Sequence, residues 1–225
     1  MPGLKVLCTI GMRGVLDDVA PAFAGANGIA VVRVYDSSVA LMKRIAGGET
    51  GDVAVFTAGA IDDLIRKGNV LERIDLSRSF VGIAVAKGAP KPDISTPETF
   101  KRALLNAKSI AHSKTGASGL YFAGLIEKLG LADALRAKIK LQDGIVGELA
   151  ARGEAEIAVQ QISELMQADG VDIVGPLPDV LQSVTVFSAG VFKASQQRDT
   201  SEAFVAHLAS SAVAPVIRRN GMEPV

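Results

Sequence analysis

The sequence predicts an α/β fold in which helices pack on mixed, mainly parallel sheets. Three observations predict it. Short β-rich runs alternate with amphipathic stretches of helical period from the first residues onward. Gly or Pro punctuates most of the exchanges. Finally, 225 residues that are 48% hydrophobic suffice to hide about 70% of the unfolded surface without a cross-link.

Taken in order, residues 4–9 read as a buried strand followed by the turn Gly11–Gly14. Val15, Val19 and Phe23 recur at i, i+4 and i+8, predicting an amphipathic helix that ends near Gly25. A second strand covers 29–34. A helix over 37–46 follows, with Leu41, Met42 and Ile45 on one face and Gly47–Gly48 as its stop. A third strand (53–56) leads to a helix over 60–67 that Gly68 ends. Strand, helix, strand, helix, strand at this spacing is the pattern of parallel βαβ units.

The type persists further on. Residues 80–86 read as a strand and 88–93 as a Pro-rich turn. Thr96-Pro97 reads as a helix start, Pro97 fitting the first helical position and Thr96 capping. A strand at 110–112 precedes a helix over 118–129, where Phe122, Leu125, Ile126 and Leu129 share a face. Short elements follow: a helix at 144–151, strands at 156–159 and 172–174, and a helical turn at 163–167. A longer strand covers 185–191, and helices near 201–209 and 211–220 close the chain.

Composition excludes several classes of partner. The 24 Lys and Arg balance the 24 Asp and Glu, so the basic footprint of a nucleic-acid binder is missing. Aromatics make up 4% with no Trp, which removes a base-stacking platform. No apolar run approaches the ~20 residues of a membrane span. No secretory signal is visible, so the chain as written reads as cytoplasmic, and as periplasmic if such a signal has been removed. Cys8 is the single cysteine and reads as a small buried hydrophobe. His112 and His207 are the only histidines, too few for a metal cluster, and no cofactor is expected. Lys114-Thr115 precedes Gly116 instead of following a Gly-rich turn, so the phosphate-loop order is not met.

Candidate sites lie where predicted strands pass into helices. In open α/β sheets ligands bind beyond the carboxyl ends of the strands. Three places qualify: TIGMRG (9–14), YDSSV (35–39) and HSKTGASG (112–119). Each offers backbone N–H groups at a helix start with hydroxyls beside them, which suits an anion. Ser37, Ser38 and Ser118 could equally serve only to cap their own helices. Arg13 stands inside the first loop and suits a carboxylate, whereas Arg33 reads as a surface ion-pair partner on its strand. His112 ends a strand and could donate to an anion, act as a base, or be a hydrogen-bonded structural histidine. Gln160 and Gln161 end another strand with amides that could hold ligand oxygens or satisfy loop backbone. His112, Lys114 and Glu164 are the loop groups available for proton transfer.

At these same residues the chain resembles the type 2 periplasmic binding proteins, especially the molybdate-binding subgroup. The resemblance runs through APAF (20–23), DSSVALMKRIAGGETGDVAV (36–55), GAID (59–62), ELAARGEAEIAVQQISE (148–164) and VFSAGV (186–191). It implies two Rossmann-like lobes, residues 1–78 with 189–225 and residues 79–188, joined by a two-strand hinge near 81–86 and 185–191. It also implies a small anionic ligand held in a cleft, with an ABC permease as partner. By motif the ligand positions are Thr9, Gly11 and Met12, Ser37 and Ser38, Lys114, Thr115 and Ser118, and Gln160 and Gln161. Two departures stand out. Gly11-Met12-Arg13 replaces a Ser or Ala in the first loop, and Gln160-Gln161 replaces a strand-ending Tyr. The same family includes an enzyme, aconitate isomerase. Two functions are therefore open: an anion-binding protein of the solute-binding type, and an isomerase of a small di- or tricarboxylate.

Overall fold

A computed structural model describes residues 3–225. The chain divides into two compact units, one formed by residues up to Ser79 together with Thr185–Val225, the other by Phe80–Val184. The breaks at 79/80 and 184/185 replace the expected 78/79 and 188/189, because almost all of the last long strand belongs with the first unit.

In the first unit, β1 (Leu4–Thr9), β2 (Val31–Asp36) and β3 (Val53–Thr57) are parallel, in the order β2-β1-β3. The antiparallel β9 (Val184–Val191) pairs along β3, with Phe187 opposite Thr57. A 13-residue strand, β4 (Ile74–Ala86), contributes its first half here, where the short β10 (Glu223–Pro224) pairs with Ser77 and Arg78. β4 starts six residues before the sequence suggests. Charged Asp75 and Arg78 interrupt any apolar run there, and Ser77 and Ser79 are the fully buried residues.

Helices cover both faces of this sheet. A short 3-10 turn (Ile10–Met12) leads into α1 (Arg13–Asn27), which buries Val15, Leu16, Val19, Ala20 and Phe23. Its end falls at Gly28, whose φ of 63° takes the left-handed cap that a side chain would resist. α9 (Arg198–Leu208) and α10 (Ala214–Arg219) share that core through Phe204, Leu208 and Ile217. On the other face α2 (Ser38–Ala46) and α3 (Ala58–Arg66) pack Leu41, Ile45, Ile61 and Leu64 against Leu7, Ala54 and Phe56. Cys8 is fully buried in the first of these cores, and burial pushes its thiol pKa up, as expected of a small hydrophobe. His207 lies with its ring 5.6 Å from that of Phe23, a packing role.

The second unit holds β5 (Ile110–Ser113), β6 (Ile139–Gln142) and β7 (Ile157–Gln161), all parallel, with β5 between the other two. The second half of β4 runs antiparallel beside β7, and β8 (Val171–Pro176) pairs antiparallel with β4. α4 (Pro97–Asn106) begins with the Thr96 cap, which accepts the Thr99 N–H at 3.1 Å in a reciprocal capping box. α5 (Ala117–Lys128) buries Phe122, Leu125 and Ile126. The short helices α6 (Ala132–Leu135), α7 (Gly147–Ala151) and α8 (Ile162–Leu165) fill the connections. The predicted α/β class with mixed sheets holds in both units, each of which sets a three-stranded parallel part beside antiparallel strands.

Candidate functional site

Each unit gathers strand carboxyl ends along one edge of its sheet. In the first unit the register sets Thr9 opposite Asp36, and Cys8 opposite Val55. The ends of β1, β2 and β3 therefore line up, and each runs straight into a helical turn. The first turn of such a helix leaves backbone N–H groups with no intrahelical partner. Thr9 is 4% exposed, and Gly11 is buried because a Cβ there would run into the Phe187 ring. Only glycine lets the loop pass that close. Met12 is wholly buried, and the Ser77 hydroxyl donates to its sulfur at 3.3 Å. Its side chain belongs to the core, so of Met12 only backbone groups can face a ligand.

Ser37 caps α2, its hydroxyl accepting the Ala40 N–H at 3.2 Å, while its own N–H donates to Asp36 at 2.8 Å. The Ser38 hydroxyl accepts the Thr57 N–H at 3.4 Å and so ties the second loop to the third. Thr57 at the end of β3 is a position that sequence reasoning missed. The signal was available, since β3 passes into α3 in the same way as the two strands before it.

Arg13 is exposed. Its guanidinium lies 3.5 Å from Asp17 and 5.5 Å from the centre of the Tyr35 ring. Asp17 also accepts the Tyr35 hydroxyl at 2.6 Å and pairs with Arg33 at 3.1 Å. Arg33 is thus the surface ion-pair partner that the sequence suggested. The Tyr35 phenol is pushed up in pKa by burial and by its bond to Asp17.

In the second unit the register sets Ser113 opposite Gln142 and His112 opposite Val159, so the ends of β5, β6 and β7 also align. Ser113 accepts the Gly116 N–H at 2.8 Å and closes the turn into α5. Gly119 lies so close to the Ser113 carbonyl that a Cβ there would clash with it. Ser118, in the first turn of α5, is 2% exposed, and its hydroxyl has no hydrogen-bond partner among the described residues. Thr115 donates to Asp143 at 3.0 Å, and Lys114 is exposed, with its backbone N–H donating to Gln142.

His112 is buried at 5% exposure. Its ring meets Phe122 edge-on at 5.3 Å, and its Nδ1 is 3.0 Å from the Ser113 carbonyl. Burial lowers its pKa, against the raising effect of its bond to the Ser113 backbone. Of the three readings open for His112, this geometry supports the hydrogen-bonded structural histidine.

Gln160 takes the loop-satisfying alternative of the two that the sequence left open. It is 2% exposed, its Oε1 accepts the Val146 N–H at 2.8 Å, and its Nε2 donates to the Gly144 carbonyl at 2.8 Å. The amide oxygen and one amide hydrogen are thus committed to the 144–146 loop. Gln161 is 3% exposed and hands its backbone N–H to the Glu164 carboxyl.

Glu164 is the one group along this edge whose chemistry departs strongly from its type. Burial raises its carboxyl pKa to about 7, against the lowering effect of the Gln160 side chain and the Gln161 N–H. A carboxyl in that range can both take and return a proton near neutrality. A half-open cavity of about 340 Å³ in this unit lies elsewhere, between Val85, the 89–93 turn, Arg102 and Ile157. It opens at the amino end of β7, opposite to Gln161, and so is not part of the strand-end site.

A family description of bacterial extracellular solute-binding proteins matches residues 4–223. The chain belongs to that family. Within reach of this family is an aconitate isomerase from a Pseudomonas species, 37% identical over 231 residues that cover 99% of this chain and 88% of the relative. Among solved structures, the periplasmic molybdate-binding protein of Azotobacter vinelandii superposes with a TM-score of 0.81. It is 23% identical, with 97% of this chain and 98% of that chain covered. A sulfate-binding protein of Mycobacterium tuberculosis superposes with a TM-score of 0.79 at 17% identity, covering 100% of this chain and 88% of that one. These likenesses establish the periplasmic-binding-protein type of fold. No helix among the described residues is long and apolar enough to cross a membrane.

Proposed function

We propose that this solute-binding chain takes a small di- or tricarboxylate and shifts its double bond, with aconitate as the first candidate substrate. The observation that carries the reading is Glu164, a carboxyl with a pKa of about 7 at a strand end where a ligand of this fold would bind. The 37% identity to an aconitate isomerase across nearly the whole chain supports it independently.

Within the second unit the helix start at Ser118 is the anion donor on the same sheet edge as Glu164, and within the first unit the helix starts at Gly11, Ser38 and Thr57, with Arg13, are donors of the same kind. Glu164 would take a proton from the methylene carbon. The electron pair of that C–H bond becomes the new C=C, and the old π pair forms a C–H bond at the far carbon as Glu164 returns the proton. One proton leaves and one arrives, so no oxidant or co-substrate is needed. Rotation about the bond between the methylene and central carbons, while it is still single and before the proton is removed, sets whether the new double bond is cis or trans. Developing negative charge on the substrate is stabilised by the same N–H donors.

A second reading is favoured by the preponderance of neutral donors, which also suit a tetrahedral oxyanion delivered to an ABC permease. The family's extracellular description supports a periplasmic place of work for either reading. A thermal-shift panel of molybdate, tungstate, sulfate, phosphate, citrate and both aconitate isomers separates them. A ligand at 100 times its Kd stabilises by about 2.7 kcal/mol. A shift with aconitate followed by interconversion of its isomers supports the enzyme. A shift with molybdate or sulfate alone supports the carrier, and no shift with any member defeats both.

A further inference from the structure

We infer that Tyr35 is the positioning residue for Arg13, seating its guanidinium at the end of β2 so that it meets a ligand carboxylate already ordered. The inference deepens the carboxylate reading above and rests on it for its consequence in binding. The seating itself stands on contacts within the first unit.

Arg13 opens α1 just past the end of β1, and Tyr35 is the last residue but one of β2, opposite Cys8 in the parallel register. Both therefore come to one edge of the sheet. A long side chain left free in solvent keeps no fixed direction. Here it has a seat. The Arg13 Cζ lies over the Tyr35 ring, 5.5 Å from its centre, within the range of a cation–π contact. The ring is itself fixed, because it packs against the buried core of the first unit. Its hydroxyl donates to Asp17 Oδ1 at 2.6 Å, and Arg33 approaches the same oxygen at 3.1 Å. The other oxygen, Oδ2, faces Arg13 Nε at 3.5 Å. Tyr35 thus acts on Arg13 twice, beneath it through the ring and beside it through the carboxylate that the hydroxyl holds.

These contacts seat Arg13 without using it up. At 3.5 Å the approach to Asp17 is an ion pair and not a hydrogen bond. Among the described residues the Arg13 guanidinium donates no hydrogen bond, so its N–H groups are open to a ligand. Charge leads the same way. Arg13 and Arg33 bring two positive charges to the one negative charge of Asp17, and one is left over. The neighbouring acids do not take it. Asp18 turns to Arg219 at 3.6 Å and to Asn220 at 3.3 Å, while Asp36 accepts the Ser37 N–H at 2.8 Å and lies 3.9 Å from Arg44. Of the two arginines Arg13 is the more accessible, its side chain 51% exposed against 31% for Arg33. A planar carboxylate, which can accept two parallel N–H groups, is the partner that this open fork matches. Ordering such a side chain only when the ligand arrives would take away part of the affinity, and the ring orders it beforehand.

The test is calorimetric titration of the purified chain with citrate and with trans-aconitate. Tyr35→Leu removes the seat and should weaken both ligands about 3–10-fold, the effect of ordering one such side chain on binding. Tyr35→Phe keeps the ring, and Asp17 is still held by Arg33, so affinity should stay within about twofold of wild type. In an Arg13→Ala background, adding Tyr35→Leu should change affinity by less than about twofold, because its effect runs through Arg13. A Tyr35 that serves the fold alone would give the same loss with and without Arg13. That result overturns the inference, as does a Tyr35→Phe variant as weak as Tyr35→Leu. Tyr35→Ile, which suits a strand, replaces Tyr35→Leu should that variant fold poorly. A ligand-free measurement separates the inference from the reading it rests on. In 15N-arginine-labelled chain the Arg13 Nε–H resonance is assigned by its loss in Arg13→Lys. It should stand apart from those of freely moving arginines, return toward them in Tyr35→Leu and stay in place in Tyr35→Phe. A wild-type Arg13 resonance that coincides with the mobile arginines overturns the inference. If neither carboxylate binds while the resonance behaves as stated, the carboxylate reading fails and the seating of Arg13 by Tyr35 stands.

Discussion

The Ser113 hydroxyl accepts the Gly116 N–H at 2.8 Å, and three residues later Gly119 rests on the Ser113 carbonyl itself. One strand-end serine thus fixes both the entry and the closeness of α5 to β5. The contact is to backbone, which cannot swing aside. Gly119→Ala is therefore expected to destabilise by about 1–3 kcal/mol through overpacking, even though alanine is the better helix former. Urea unfolding of the variant checks this, and a neutral or stabilising result would show that the helix can lift off.

Ser118 sets stability against binding. Its buried hydroxyl lacks a partner among the described residues, a burden that the fold carries without local return. Ser118→Ala is expected to leave Tm unchanged or raise it, while weakening the anion by about 1 kcal/mol, roughly fivefold in Kd. Calorimetric titration beside a melting curve reads both. Lost stability together with unchanged affinity would mean the hydroxyl serves the fold alone.

Glu164 imposes a pH dependence with a definite sign. Its folded-state pKa of about 7 stands above the ordinary 4.5, so between those values the folded chain holds a proton that the unfolded chain has lost. Stability from this group is full below about pH 4.5, falls as pH rises, and is gone above about pH 7. The full loss across the interval between those values is on the order of 3–4 kcal/mol. Glu164→Gln should flatten this part of the stability curve. Parallel curves for the two proteins would place the carboxyl at an ordinary pKa.

Arg13 and Arg33 share Asp17 but are expected to part in function. Both pairs are solvent-exposed, so either alanine variant should cost under about 1 kcal/mol of stability. Arg13→Ala should also weaken a carboxylate ligand by about 1.5–3 kcal/mol, through loss of a charge-assisted bond. Arg33→Ala should not. Equal effects of the two on affinity would remove Arg13 from the ligand set.

Legibility in the sequence followed apolar patterning. The βαβ units over residues 4–66 were readable because Leu7, Ala54 and Phe56 form continuous buried runs and Leu41, Ile45, Ile61 and Leu64 recur at helical spacing. β6 was not, because Ile139–Gln142 is a four-residue edge strand whose Lys140 and Leu141 are exposed. α6 has only four residues, too short for a period. The strand-end loops were legible as loops, but the direction of each side chain was not. Met12 looked like a loop residue and is core. His112 was open between a ligand donor, a base and a structural histidine, and its ring packs on Phe122. The role of Gln160 depends on Gly144 and Val146, which lie 16 and 14 residues upstream and meet it only through the parallel pairing of β5, β6 and β7.

The most direct test of the central claim follows each aconitate isomer by proton NMR with purified chain and with Glu164→Gln. The account predicts interconversion from either side to one equilibrium mixture, with exchange of the methylene protons for solvent deuterium. It also predicts that Glu164→Gln still binds but turns over 10²–10⁴-fold more slowly, the usual contribution of a positioned acid–base group. Tight binding without interconversion, or a Glu164→Gln variant as fast as wild type, would contradict it.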